Sequence, residues 1–193
     1  MSSLASCEKR SLLDVARRAL TLGVQMRETL LELPSSQAFD QPGGAFVTLH
    51  KRARLRGCIG QLPSREPLVR VVAHCARSAG LEDPRFEPVD PRELAEIEIE
   101  LSVLSILEDV TSEKIVAGKH GLVVSNGAFR GVLLPQVAAQ FRWSSVRFLE
   151  ETCLKAGLGR EAWKDSATRI QAFTADVFSE SEFNAGEKQR PAF

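Results

Sequence analysis

The sequence lacks tyrosine altogether and has only three histidines, His50, His74 and His120. Few side chains are therefore available for acid-base catalysis, in which histidine takes part most often. The four cysteines lie far apart, without a C-x-x-C pair or a regular spacing. This scattering argues against a zinc ribbon and a disulfide framework, and it favours reduced thiols. We expect no structural metal and no bound cofactor.

An excess of charge of one sign is also missing, because 25 Lys and Arg residues balance 25 Asp and Glu residues. No overall field would draw such a chain to nucleic acid or to a membrane. The longest apolar runs are a handful of residues, far below the roughly 20 that span a bilayer. Glu8, Lys9 and Arg10 stand where a signal peptide would be apolar. We expect a cytoplasmic protein without a membrane segment.

What remains is typical of a globular protein. The 193 residues, 44% hydrophobic and 26% charged, suffice for a single domain over 1–193 or for two closely packed lobes. Because the strands come as hairpins rather than in alternation with helices, the pattern predicts an α+β fold with an antiparallel sheet and flanking helices. The periodicity predicts helices over 8–33, from near Pro67 to about Ala79 and over 144–156, one helical turn at 91–95, and strands over 46–50, 55–60, 97–104, 122–125, 129–134 and 169–178.

The first predicted hairpin sets which side chains share a face of its sheet. A turn at 51–54 makes the numbers of facing residues sum to about 105. Cys58 would then lie opposite Val47, with Arg56 on the same face and His50 on the other. A bulge or a slip of one residue would instead place His50 on the same face as Cys58.

Several motifs follow one another along the chain in a recognisable order. The motifs are LRGCIG at 55–60, DPRF at 83–86, IEIELSVLS at 97–105, HGL at 120–122, LPQV at 134–137, and FL at 148–149 through KAGL at 155–158. Together they resemble the AMMECR-one domain family, whose bacterial and archaeal members are called AmmeMemoRadiSam system protein A, over about residues 12–180. The resemblance implies a two-lobed α+β fold without an established reaction, and Memo-like and radical SAM proteins as partners.

The RGCIG motif contains the strongest candidate for chemistry, the thiol of Cys58. Arg56 lies two residues away and would favour the thiolate, and Gly57 and Gly60 would let another backbone or a ligand approach closely. Cys58 would then be a nucleophile or a redox thiol, with His120 or His74 as its base. The competing interpretation is a small buried cysteine between glycines that serve strand packing.

Charged side chains border this motif in the prediction. Glu98 and Glu100 alternate with apolar residues on their strand and would pair with Arg54 and Arg56 if that strand lies beside the first hairpin. The arginines would then position an anionic substrate, since a guanidinium fork matches carboxylate or phosphate. A solvated strand face with surface ion pairs is the alternative.

Two further segments have both a functional and a structural interpretation. In the DPRF motif, Arg85 would bind an anion from a lid or pocket wall, or Phe86 would merely anchor a structural turn. His120 would act as a base or ligand, or as a hydrogen-bonded structural group. The predicted site is a pocket around Arg56, Gly57, Cys58 and Gly60, bordered by Glu98, Glu100, Arg85 and His120.

Charge is concentrated in two adjacent segments. Residues 51–77 have a net charge of +6, and residues 82–100 have a net charge of −6. The basic segment would suit RNA or nucleotide phosphates, or the two segments would neutralise each other in the fold. We expect a small-molecule enzyme or accessory protein, with an RNA- or nucleotide-phosphate-binding module or a pure protein-interaction domain as the alternatives. The sequence does not settle whether the protein forms a homo-oligomer.

Overall fold

The computed structural model describes residues 4–26 and 31–184. The described residues divide into two compact units, the first formed by those up to 104 together with 176–184 and the second by 105–175. Its elements in chain order are α1 Ser6–Val24, β1 Gly44–Lys51, β2 Arg54–Gln61, α2 Leu68–Leu81, a 3₁₀ turn Pro91–Glu96, β3 Ile97–Leu104, β4 Glu108–Asp109, a 3₁₀ turn Ser112–Lys114, β5 Gly121–Asn126, β6 Phe129–Leu133, α3 Pro135–Gln140, α4 Ser145–Lys155, a 3₁₀ turn Ala162–Lys164, β7 Arg169–Phe173, β8 Ala175–Ser179 and α5 Glu180–Asn184.

The first unit is a four-stranded sheet with the strand order β2-β1-β3-β8, covered on one face by α1 and α2. The apolar residues of α2 recur every three or four positions, so they form one stripe toward the sheet. Alternate residues of β1 and β3 meet that stripe, among them Val47, Leu49, Ile99 and Leu101, all fully buried. The opposite face of the sheet therefore carries the more polar residues of the same strands.

The second unit is a separate sheet with the strand order β4-β7-β5-β6. Its core lies between β5 and α4, where Leu122, Phe148 and Leu149 are buried. Helix α4 begins where the sequence predicts, because the Ser144 hydroxyl accepts the Arg147 backbone N–H at 3.2 Å. The α+β class with antiparallel sheets is confirmed.

The hairpins and most other elements follow the prediction, but two bounds were wrong. Helix α1 ends at Val24 rather than at residue 33, because Met26 has a positive φ of 51° that ends the helix. Residues 31–33 are not helical, and 27–30 lie outside the described residues. The predicted strand over 169–178 is two strands, β7 and β8, which belong to different sheets and are separated at Thr174.

We also find that none of the helices among the described residues combines the length and the apolarity needed to cross a membrane.

Candidate functional site

A bulge in the first hairpin determines which side chains surround Cys58. His50 pairs with Leu55 as predicted, but Leu49 pairs with Gly57, which leaves Arg56 as an extra residue in β2. Cys58 consequently lies opposite Thr48 rather than opposite Val47. The predicted register was wrong from this point onward, and Cys58 shares the face of Thr48 and His50.

Three polar residues then stand side by side across the three strands: Cys58 on β2, Thr48 on β1 and Glu100 on β3. We call this set the thiol row. The Thr48 hydroxyl donates a hydrogen bond to Cys58 Sγ at 3.4 Å. In the neighbouring row of the same face, His50 lies opposite Glu98. All of these side chains are half-buried, so the polar face is neither core nor fully solvated.

The thiol of Cys58 is protonated in the resting protein. Burial raises its pKa, and the negative charges of Asp83 and Glu100 raise it further. The hydrogen bond from Thr48 and the charge of Arg85 act in the opposite direction and are smaller in sum. The expectation that Arg56 favours the thiolate was wrong, because the guanidinium of Arg56 is engaged elsewhere.

Arg56 is bound to the segment that precedes β3. It donates two hydrogen bonds to the carboxylate of Glu93, at 3.2 and 2.9 Å, and two more to the carbonyl oxygens of Glu87 and Pro88. Lys51 donates to the same carboxylate at 2.9 Å. The predicted pairing of Arg56 with Glu98 and Glu100 was wrong, because β1 separates β2 from β3. These contacts hold the connecting segment against the edge of the sheet.

Glu93 was missed by the sequence reasoning, although a capping box with Asp90 signals it. The Glu93 carboxylate accepts the backbone N–H of Asp90, and Asp90 accepts that of Arg92 at the start of the 3₁₀ turn. Hydrogen bonds from Arg56 lower the pKa of Glu93 to about 2, with further bonds from Lys51 acting in the same direction. Glu93 is therefore a permanent anion at the site.

The DPRF motif closes the exposed edge of β2 at Cys58 itself. Asp83 accepts the backbone N–H of Cys58 at 2.8 Å, and Arg85 donates to the carbonyl oxygen of Cys58 at 3.2 Å. The Arg85 guanidinium also donates two hydrogen bonds to the Asp83 carboxylate. These bonds lower the pKa of Asp83 to about 2, the side chain of Arg85 contributing most. We call Asp83 and Arg85 the edge clamp, since it occupies the groups that an added strand would bind.

The two glycines of the RGCIG motif meet other parts of the first unit. A Cβ at Gly57 would lie 2.1 Å from the carbonyl oxygen of Ala79, near the end of α2. A Cβ at Gly60 would lie 2.1 Å from the ring of Phe46. The close approach predicted at these positions is therefore supplied by a helix end and by an aromatic ring. Substrate binding at either glycine stays a prediction.

The other candidate residues have local partners. The Glu98 carboxylate is hydrogen-bonded by Ser181 and Ser179, which lowers its pKa and ties the start of α5 to the polar face. Nδ1 of His120 accepts the backbone N–H of Val116 at 3.2 Å within the second unit, whereas Cys58 belongs to the first. His74 is exposed on α2. The role of His120 as a base stays a prediction.

Ion pairs connect the basic segment 51–77 with the acidic segment 82–100. Mutual neutralisation of the two segments was one of the two interpretations of their charge. Glu96 pairs with Arg52 at 2.7 Å and with Lys51 at 3.8 Å, in addition to the pairs of Glu93. The side chain of Arg54 makes no ion pair or hydrogen bond with any residue in 4–26 or 31–184. Within those ranges, no group of three or more His, Cys, Asp or Glu side chains is arranged to hold a metal ion.

Comparison with known proteins places this geometry in a family. The AMMECR1 family model matches residues 13–178 and so spans both units. A protein of Methanothermobacter thermautotrophicus is 40% identical over 186 residues, covering 92% of this chain and 96% of its own length. Protein MK0488 of Methanopyrus kandleri is 38% identical, covering 95% and 93%.

A solved structure agrees with these matches. The crystal structure of the uncharacterized protein PH0010 from Pyrococcus horikoshii superposes with a TM-score of 0.81 at 36% identity, covering 88% of this chain and 89% of that one. The family match, the sequence identities and the shared fold all agree with the order of motifs read from the sequence. The chain belongs to the AMMECR1 family.

Proposed function

We propose that this AMMECR1 protein is a small-molecule enzyme whose reacting group is the thiol of Cys58. The observation that supports this is the thiol row, in which Cys58, Thr48 and Glu100 lie side by side on a half-buried polar face. By contrast, Cys75 and Cys153 are buried at 1% and 0% exposure, and burial raises the pKa of Cys75 to about 12. Those two thiols behave as small apolar residues of the core.

The thiol row also suggests how the proton of Cys58 is handled. Burial and, to a smaller extent, the negative charge of Glu100 raise the pKa of the Cys58 thiol, so the thiolate is disfavoured before substrate binds. As Sγ adds to an electrophilic carbon, the Thr48 hydroxyl rotates, accepts the thiol proton and passes its own proton to the Glu100 carboxylate. The S–C bond then forms while the C=O π electrons move to oxygen. Cys58 is thus deprotonated only when substrate is bound.

Alkylation by iodoacetamide across a pH series tests this arrangement, with each cysteine followed by mass spectrometry. We expect the rate at Cys58 to rise only at alkaline pH, because its pKa is raised. Glu100→Gln removes a like charge and should move that rise to lower pH, whereas Thr48→Val removes the donor and should move it higher. Glu98→Gln is the matched control, because Glu98 lies on the same face but is held by Ser181. Equal effects of the two Glu variants would contradict the thiol row.

Transfer to the thiol tests the enzyme proposal more directly. With S-acetyl-N-acetylcysteamine as the probe, Sγ attacks the acetyl carbon and N-acetylcysteamine leaves as the thiol, taking the proton. We expect an acetyl adduct on Cys58 in the wild type, none at that position in Cys58→Ser, and a slower reaction in Glu100→Gln. Adduct on the exposed Cys7 at a higher rate than on Cys58 would contradict a functional thiol.

We further propose that the protein acts in the cytoplasm with Memo-like and radical SAM proteins. The support is the order of family motifs together with four free cysteines, which a reducing compartment maintains. Size-exclusion chromatography with each purified partner tests the assignment. If neither partner co-elutes at micromolar concentration, the partnership is excluded as a stable complex, and the proposal for the thiol is tested independently by the acetyl probe.

A pure protein-interaction domain is the competing function. It predicts that exposed residues matter and that Cys58→Ser, Thr48→Val and Glu100→Gln leave every activity of the protein unchanged. The half-buried position of the thiol row favours the enzyme, because a docking surface has no need for a thiol shielded from solvent. The comparison of those three variants therefore separates the two functions.

A further inference from the structure

The tip of the first hairpin encloses a groove that the thiol chemistry does not use. Its volume is about 510 Å³, and five residues of one short stretch line it: Lys51, Arg52, Arg54, Leu55 and Arg56. We call it the hairpin groove. Four of the five are cations, so any ligand that it accepts must be anionic.

The charges around the hairpin groove do not cancel. Glu93 and Glu96 are paired with Lys51, Arg52 and Arg56, so the four cations and two carboxylates have a net charge of +2. The guanidinium of Arg54 has no polar partner in the part of the chain that the structure describes. This group is exposed and offers a fork of donors that matches two phosphate oxygens.

The turn that presents these cations has an unfavourable backbone. Arg52 and Ala53 both have positive φ angles, 51° and 62°, although turns of this kind usually contain asparagine and glycine. Such conformations persist where the surrounding structure requires them, and they are common at ligand sites. Here the turn directs Arg52 and Arg54 to the groove that they line.

The shape and surroundings of the groove favour a small ligand over a nucleic acid strand. Among the described residues, no aromatic side chain lines it, so these residues offer no platform for stacked bases. The other arginines of the basic segment do not extend it: Arg65 follows the far end of β2, and Arg70 and Arg77 lie on α2. Leu55, 44% exposed, supplies an apolar wall for an organic group.

We propose that the hairpin groove binds a dianionic phosphate group, carried by a small organic monoester or present as free phosphate. A dianion would balance the net charge of +2, with Arg54 as its principal ligand. Arg52, which is 80% exposed and contacts Glu96 through one nitrogen, would be the second ligand. Lys51 and Arg56 remain bound to Glu93 and shape the groove. This site is separate from the thiol row in its residues and in its chemistry.

Isothermal titration of the full chain tests the proposal with AMP, inorganic phosphate, adenosine and a 12-nucleotide single-stranded RNA as probes. We expect AMP to bind and adenosine not to bind. Tighter binding of AMP than of inorganic phosphate assigns an organic monoester, and equal binding assigns free phosphate. Arg54→Gln and Arg52→Gln should each weaken AMP binding about tenfold, the effect of losing one charge-assisted contact.

Arg70→Gln is the matched control, since Arg70 is an exposed arginine of the same unit outside the groove. All three variants, Arg52→Gln, Arg54→Gln and Arg70→Gln, change exposed side chains, so identical unfolding curves can verify that each is folded. The proposal is overturned if adenosine binds as well as AMP, or if Arg70→Gln weakens AMP binding as much as Arg54→Gln. The proposal would also be overturned if the RNA binds and AMP does not, with a salt dependence of the RNA binding constant that corresponds to several phosphate contacts.

Discussion

The two hairpins of this protein have the same plan and different chemistry. In each, a glycine of the second strand meets helix backbone: a Cβ at Gly57 would lie 2.1 Å from the carbonyl oxygen of Ala79, and a Cβ at Gly131 would lie 2.4 Å from the backbone nitrogen of Ala156. In each, two residues form the turn. The difference lies in what surrounds these shared features.

The second hairpin follows local preference. Its turn begins with Gly127, whose φ of 57° is typical of glycine in such turns. The first hairpin departs from that preference in its turn, in its bulge at Arg56 and in the edge clamp on β2. All these departures lie within a few residues of Cys58 or of the hairpin groove. The comparison teaches that a shared packing constraint explains the glycines, whereas the irregular features mark the candidate sites.

The largest expected effect comes from filling the shared glycine contacts. Gly57→Ala and Gly131→Ala should each lower the free energy of unfolding by about 3 kcal/mol, because the new methyl group meets backbone that cannot rotate away. Denaturant unfolding measures the loss. Gly159→Ala is the control, since none of the described residues packs within 4 Å of a Cβ added there. A Gly57→Ala protein as stable as the control would refute helix packing and restore ligand approach as the reason for this glycine.

A smaller effect is expected from the edge clamp, which binds the backbone of Cys58 in the first hairpin. Asp83 is 2% exposed at its side chain, and its pKa is lowered from 3.8 to about 2. A lowered pKa means that Asp83 stabilises the fold above pH 3.8 and that this contribution is lost as the pH falls toward 2. Asp83→Asn should therefore cost about 2 kcal/mol at pH 7, and the difference from the wild type should disappear near pH 2.

Asp109 provides the matched comparison in the second unit. Its carboxylate binds Arg169 at 2.7 Å, but both side chains are more than 60% exposed. Exposed ion pairs contribute little because water and salt screen them. Asp109→Asn should consequently leave the stability almost unchanged across the pH range, when unfolding is followed at each pH. If it matches Asp83→Asn, the edge clamp is an ordinary surface pair.

The sequence predicted both hairpins, yet it could not show the irregular features of the first. Alternation with a period of two locates a strand but does not register an extra residue, so the bulge at Arg56 was invisible and Cys58 was placed on the wrong face. The same limit explains the strand over 169–178, which alternates without interruption although its chain passes from one sheet to the other at Thr174.

The candidate site was predictable in part for the same reason. The motif identified Cys58, and the DPRF segment was singled out, but its position against the edge of β2 depends on a tertiary contact between Asp83 and the Cys58 backbone. Arg56, which was expected to pair with Glu98 and Glu100, binds Glu93 instead, because the order of the strands in the sheet decides which charged side chains meet. Spacing along a chain carries no information on that order, whereas the capping box at Asp90 did carry a local signal for Glu93.

The smallest expected effect comes from exchanging the turn preferences of the two hairpins. Ala53→Gly should stabilise the protein by about 1 kcal/mol, because a residue with φ of 62° is strained unless it lacks a Cβ. Gly127→Ala should destabilise it by a similar amount, since none of the described residues crowds a Cβ there and only the positive φ is unfavourable for alanine. Thermal unfolding of both variants measures the two shifts. If Ala53→Gly also weakens AMP binding while it stabilises the fold, the strained turn serves the hairpin groove. If AMP binding is unchanged, the groove tolerates a relaxed turn, and its cations alone account for the site.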